Sequence, residues 1–277
     1  MRHSDLFDFI KERHAIYTRR QQGIKKPWTY DHILQNYRFC NVYRELDTVT
    51  QWIAKNWRDP NTNDNNVWFA MAVARLVNWP DTMEALGYPV PWNPKHFITT
   101  LAGLKMAGAK VFTGAYMIPA DARYTSKAES IATAVLTPMW EKRNYIYEAT
   151  DCLAHFHHRL MKFNGMGSFL AGQVVCDAKY TTLLRDASDW ETWACSGPGS
   201  RRGLNRVAGR PVNAPWKESD WFKTLTELKQ VIDILVVDAN MPAIHAQDLQ
   251  NCLCEFDKYE RVRLGEGKPR SRYPGKP

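Results

Sequence analysis

Asp177, Lys179 and Asp189 place two carboxylates and an ammonium within one short segment, a set suited to acid–base work. A carboxylate fixed near a reacting centre accepts a proton from a nucleophile or balances a developing cation. Asp177 falls near the end of a predicted helix. Asp189 reads equally as a base and as a cap for structure beginning at Trp190. A second cluster, SGPGSRRGLNR at 196–206, carries Gly199, Ser200, Arg201, Arg202 and Arg206. Five basic residues and no Asp or Glu lie between Thr192 and Lys217. A glycine-rich loop entering a helix with paired arginines suits phosphate or pyrophosphate; a plain surface turn is the alternative. The loop lacks the G-x-x-x-x-G-K-S/T spacing of nucleotide-binding phosphate loops.

A third cluster runs from Arg38 to Asp47. Asn41, Arg44 and Glu45 or Asp47 fall at i, i+3 or i+4 on one predicted helix edge, as a substrate contact or a surface ion pair. A fourth feature is FNGMGSF at 163–169. Its two glycines permit backbone angles and close approaches that a Cβ blocks. A turn of this kind between two helices presents N–H groups at the second helix's start, where Gly165, Gly167 and Ser168 would hold a phosphate; an ordinary helix–Gly–helix turn is the alternative. Gln173 lies on that second helix. Cys176, beside two valines, reads as core. His155 and His158 are three apart, but no second ligand set accompanies them, so a solvated helix face is expected and no metal.

The formal net charge is +8, and its location is informative. Residues 1–26 carry seven Lys/Arg against three Asp/Glu, and residues 258–277 seven against two. Basic ends on a balanced body suit a polyanion partner, because Lys and Arg replace the counterions of phosphates. The six cysteines are scattered and lack zinc-knuckle spacing. No apolar run approaches the ~18–20 residues that cross a bilayer, and the start of the chain has no apolar signal core. No membrane partner and a cytoplasmic location are therefore expected.

The elements that must position these residues are nearly all helical. Periodicity predicts helices over 3–20, 41–57, 65–78, 93–108, 127–148, 151–162, 168–180, 217–237 and 245–259. The 65–78 helix is apolar nearly all round and should be central. The best strand candidate, 110–118, stands alone and reads as a connector. The class is mainly α: one helical domain over 1–262 and a basic, flexible tail over 263–277.

Seven segments together carry a resemblance: NVYRELD at 41–47, Trp68-Phe69, FTGAY at 112–116, GMG at 165–167, QVVCD at 173–177, GPGSRRG at 197–203 and CEFDKY at 254–259. They resemble the alpha-glutamyl/putrescinyl thymine pyrophosphorylase group of phage DNA hypermodification enzymes, akin to the helical domain found with 5-hydroxymethyluracil DNA kinases. The turn at 163–169 resembles the helix-hairpin-helix of DNA glycosylases, whose catalytic Asp commonly lies about twenty residues past the second glycine; Asp189 fits that distance.

The resemblance implies a helix-hairpin-helix, DNA-glycosylase-like helical fold. It also implies a transferase that replaces the pyrophosphate of 5-pyrophosphoryloxymethyluracil in DNA with an amine or amino acid. The implied partners are DNA containing modified uracil, a free amino acid such as glycine, and other phage DNA-modification enzymes in the host cytoplasm. No cofactor beyond the amine co-substrate is implied. Asp177 or Asp189 would take the proton, and Gly199, Ser200, Arg201 and Arg202 the pyrophosphate. Asn41, Arg44, Lys179 and Gln173 would contact substrate. A DNA glycosylase and a non-catalytic DNA-binding partner of a kinase are the alternatives.

Overall fold

The computed structural model describes residues 2–114 and 123–269. Its helices, in chain order, are α1 (His3–Gln21), α2 (His32–Asn36), α3 (Thr48–Ile53), α4 (Val67–Val77), α5 (Pro80–Leu86), α6 (Pro94–Met106), α7 (Lys127–Ser130), α8 (Thr137–Glu141), α9 (Arg143–Tyr147), α10 (Leu153–Leu160), α11 (Ser168–Ala178), α12 (Pro198–Ala208), α13 (Glu218–Asp238) and α14 (Ala246–Arg263). There is no β-strand among the described residues, so the protein is mainly helical. In the strand candidate, 110–114 are irregular and 115–118 lie outside the described residues.

The chain forms two compact units: Met1–Asp47 with Ala194–Pro277, and Thr48–Trp193. In the first unit, α12 packs along α14, and α1 packs on α13 and α14. Leu6, Ile10, Leu204, Trp221, Leu228 and Phe256 form its core. The basic tail begins with a tether: Arg206 donates to the Glu266 carboxylate. The rest of the tail, from 270 onward, lies outside the described residues.

In the second unit, α4 is the central helix, and every residue from Val67 to Val77 is buried. Two of its rings set the packing. Phe69 meets Trp92 and Trp140 edge-on, and Trp68 meets Phe156 of α10. The helix ends at Asn78 in the left-handed conformation, and Pro80 then opens α5. α11 lies against α4, and α10 against α11.

The single helix expected over 41–57 is replaced by three pieces, a 3-10 turn, α3 and the π-helical segment Ala54–Arg58. Residues 44–46 form one short 3-10 turn, Asp47 is extended (φ −76°, ψ 135°), and α3 starts only at Thr48. Side chains cause the break: the Asp47 carboxylate accepts the Asn41 N–H at 2.9 Å, and the Asn41 amide donates to the Leu46 carbonyl at 2.7 Å. These local bonds compete with the helical ladder.

Candidate functional site

In the second unit, α10 and α11 are joined by residues 161–167. Gly165 adopts φ +76°, and a Cβ there would sit 3.0 Å from a Val135 methyl. Gly167 differs: its φ is −68°, and a Cβ would meet nothing within 4 Å. Neither strain nor crowding requires glycine at 167, so its small size leaves open the approach to the start of α11. Gly167 precedes α11 without any side-chain cap, which leaves the first-turn N–H groups and the positive end of the helix dipole facing outward. His157 of α10 pins this end, with Nε2 2.9 Å from the Ser168 carbonyl oxygen and its ring 5.0 Å from Trp193.

The two candidate acids are both engaged. Asp177 is 1% exposed and lies against Arg75 of α4, which donates to it from Nε at 2.6 Å and from Nη2. Arg75 also donates to Thr50 Oγ1 at 3.0 Å and contacts Asn78 Oδ1 at 3.4 Å. Asp189 accepts the Leu153 N–H at 2.6 Å and the Ala154 N–H at 3.0 Å. It therefore caps α10 from 35 residues away rather than structure at Trp190. Lys179 is fully buried: Nζ donates to the Trp190 carbonyl at 2.7 Å and sits 3.7 Å from that ring's centroid. The Trp190 indole N–H returns a bond to the Lys179 carbonyl at 2.7 Å. Gln173 is buried on α11.

In the first unit, the 197–203 segment is the start of α12, and its residues meet α14. A Cβ on Gly199 would collide with the Cys254 sulfur; one on Gly203 would lie 2.6 Å from the Leu253 carbonyl carbon. Both glycines are therefore needed for helix–helix approach. Ser200 is buried, and its hydroxyl exchanges bonds with the Gly197 N–H (3.0 Å) and carbonyl (3.1 Å).

The arginines, expected to face no competing acid, find acids from outside their own stretch. Arg201 pairs with Glu218 at the start of α13 and donates to Ser196 Oγ at 2.9 Å. Arg202 and Arg206 each donate from Nε to Asp257 of α14 at 2.9 Å, and Arg261 stands 3.5 Å from the same buried carboxylate. The GPGSRRG and CEFDKY runs are thus two halves of one helix crossing. Arg201 and Arg202 keep 39% and 33% of their side chains exposed, so each still faces solvent.

Asn41 lies on the loop and Arg44 opens the short 3-10 turn before α3, so the two do not share one helix edge. Asn41 Oδ1 accepts from buried Arg13 at 2.8 Å, and the Arg44 N–H donates to Asp248 at 2.9 Å. Burial pushes the Asp47 carboxyl up, against its bond from Asn41 and the charges of Arg44 and Arg13.

One trio among the described residues has the reach of a metal set: Asp151, Cys152 and His155, with ligand atoms within 4.8 Å of one another. His155 Nδ1 is 2.8 Å from Asp151, and Cys152 Sγ accepts the His155 N–H at 3.4 Å, an ordinary helix-cap arrangement. Burial pushes the Cys152 thiol up, which disfavours the thiolate a metal needs. Arg75 is the site residue that sequence reasoning missed. The signal was there: one arginine in a helix apolar on every side must find a buried carboxylate.

Comparison with known proteins gives a consistent family. The model of the helical domain of 5-hmdU DNA kinases matches residues 2–269. A 5-hmdU DNA kinase of Bacillus phage SP10 is 27% identical over 278 aligned residues, covering 90% of this chain and 43% of that protein. The chain therefore spans less than half the length of that curated relative. No solved structure matches.

Proposed function

The chain belongs to the family of 5-hmdU DNA kinase helical domains, and on that premise we propose that it is a transferase of phage thymine hypermodification. It replaces the pyrophosphate of 5-pyrophosphoryloxymethyluracil in DNA with an amine or amino acid. The carrying observation is the family match along 2–269. In this reading these residues are a helical, DNA-handling module, and a G-x-x-x-x-G-K-S/T loop is not among them.

The reaction breaks the bond between the exocyclic methylene carbon and the pyrophosphate oxygen and forms a carbon–nitrogen bond. Pyrophosphate leaves with the electron pair, and the attacking nitrogen sheds one proton. In this reading the turn at Gly165, Gly167 and Ser168, as in a helix-hairpin-helix, takes the DNA backbone through N–H groups at the start of α11. Arg201 and Arg202, on the solvent side of α12, receive the departing anion by exchanging it for their present carboxylates. Gly199 and Ser200 act by holding α12 against α14. Asp177 and Asp189 are the candidates for the proton, and each must first release the donors that now occupy it. Gln173 and Lys179 of the second unit, and separately Asn41 and Arg44 of the first, are the proposed substrate contacts.

A second reading, a DNA-binding partner of a kinase, is favoured by one observation: both candidate acids are already held by structural hydrogen bonds. One experiment separates the readings. The chain is incubated with pyrophosphorylated DNA and a panel of amino acids and diamines, and the nucleosides are resolved by mass spectrometry. An amine-substituted nucleoside supports the transferase. Released base points to a glycosylase, and unchanged nucleosides with retained DNA binding point to the partner role.

A further inference from the structure

A groove of about 520 Å³ opens in the second unit beside the turn between α10 and α11. Ala134, Pro138, Lys142 and Tyr145 line one side, and Lys162, Phe163 and Asn164 the other. No carboxylate lines it. Lys142 and Lys162 are exposed, and neither enters an ion pair among the described residues. Tyr145 is 41% exposed. The Arg159 guanidinium sits 4.5 Å from the Tyr145 ring centroid and donates to the Tyr145 carbonyl. Glu148 is engaged by Arg159 at 3.4 Å. Gly165, with its positive φ, turns the chain so that Asn164 lines the groove one residue before it.

We propose that this groove holds a DNA strand. The phosphodiester backbone passes from the start of α11 along Lys162 and Lys142, and Tyr145 receives an unpaired base on the ring surface that Arg159 leaves open. The groove has the two features that single-strand binding combines, charge of one sign along a channel and an aromatic platform. An acidic peptide would satisfy the lysines but would have no use for the half-exposed ring. This inference rests on the reading of the turn as a DNA-backbone contact, and it adds the path the strand takes.

The test uses the whole chain and a fluorescein-labelled thymidine-rich oligonucleotide of about 20 residues, with polyglutamate of equal charge as competitor. K142E/K162E is expected to weaken binding at least tenfold in about 0.1 M salt. Its slope of log K against log salt should fall by roughly 1.4, the value for two lost single-strand phosphate contacts. Tyr145→Ala is expected to cost fivefold or more and Tyr145→Phe little. Lys223→Glu, on the exposed side of α13, should change neither affinity nor slope. Gly167→Asp, which repels phosphate at the start of α11 but adds its side chain into open space, reports on the turn separately. If Gly167→Asp weakens binding while K142E/K162E does not, the strand lies elsewhere on the turn and the groove assignment is overturned alone. If the native chain does not bind the oligonucleotide, the turn reading and the groove fall together. Equal competition by polyglutamate would overturn the groove as a nucleic-acid site.

Discussion

The Arg75 guanidinium holds Asp177 through two hydrogen bonds inside the second unit, joining α4 to α11 with both side chains almost fully buried. Removing one member of a buried pair strands the other charge, which typically costs ~3–5 kcal/mol. Asp177→Asn should therefore lower the unfolding free energy by about that amount, measured by urea denaturation. The same variant separates structure from catalysis. If Asp177 only ties the helices, turnover by the folded fraction stays near native. If it accepts the amine's proton, turnover collapses even where denaturation shows the protein folded.

Gly203 and Gly199 allow α12 to lie against the backbone of α14 at Leu253 and Cys254. Gly203→Ala forces the two helices apart, because its Cβ meets backbone that cannot swing aside. We expect a loss of ~1–3 kcal/mol or more, as for overpacked cores. Gly199→Ala should cost less, since it meets a side-chain sulfur. A chemical melt of both variants checks this order. Were these glycines kept for anion binding instead, the variants would melt like the native chain and lose only pyrophosphate affinity.

Asp189 caps α10 through two backbone N–H groups. Asp189→Ala leaves both donors unpaired, and cap losses run to ~0.5–2 kcal/mol. Asp189→Asn keeps one acceptor oxygen and should recover part of it. Hydrogen exchange at the Leu153 and Ala154 amides gives the direct readout: both should exchange faster in Asp189→Ala. Unchanged protection there would mean that another group caps the helix.

The longer helices α1, α4, α6, α11, α13 and α14 were legible from their apolar periods, whereas the short α2 and α5 fall outside the predicted ranges. The all-round burial of α4 follows from its composition alone. The two arginine-rich and acidic runs were legible as distinctive segments but not as one object. Their pairing is a contact between residues about fifty apart, Arg206 with Asp257, and nothing local announces it. The absence of acids between Thr192 and Lys217 suggested free cations, but the fold brings Glu218, Asp257 and Glu266 to them. The break at Asp47 was hidden for a similar reason. Helical spacing over 41–57 is real, but side-chain bonds from Asn41 and Asp47 to nearby backbone override it.

Glu260 of α14 gives a prediction in pH. Burial raises its carboxyl, but hydrogen bonds from Arg263 and Arg2 outweigh burial and hold it below its ordinary value of 4.5. With the folded value below the unfolded one, the unfolded chain binds more protons in the interval between them, so stability rises with pH there. The contribution is fully present above about pH 4.5 and disappears as pH falls through the lower folded value. Glu260→Gln should therefore be less stable than the native chain at neutral pH, and the gap should narrow steadily as the medium is acidified below that point. Thermal melts of both proteins from neutral pH down to about pH 3 measure it. A gap that stays constant across the acid range would show that the two arginines gain nothing from the charge on Glu260.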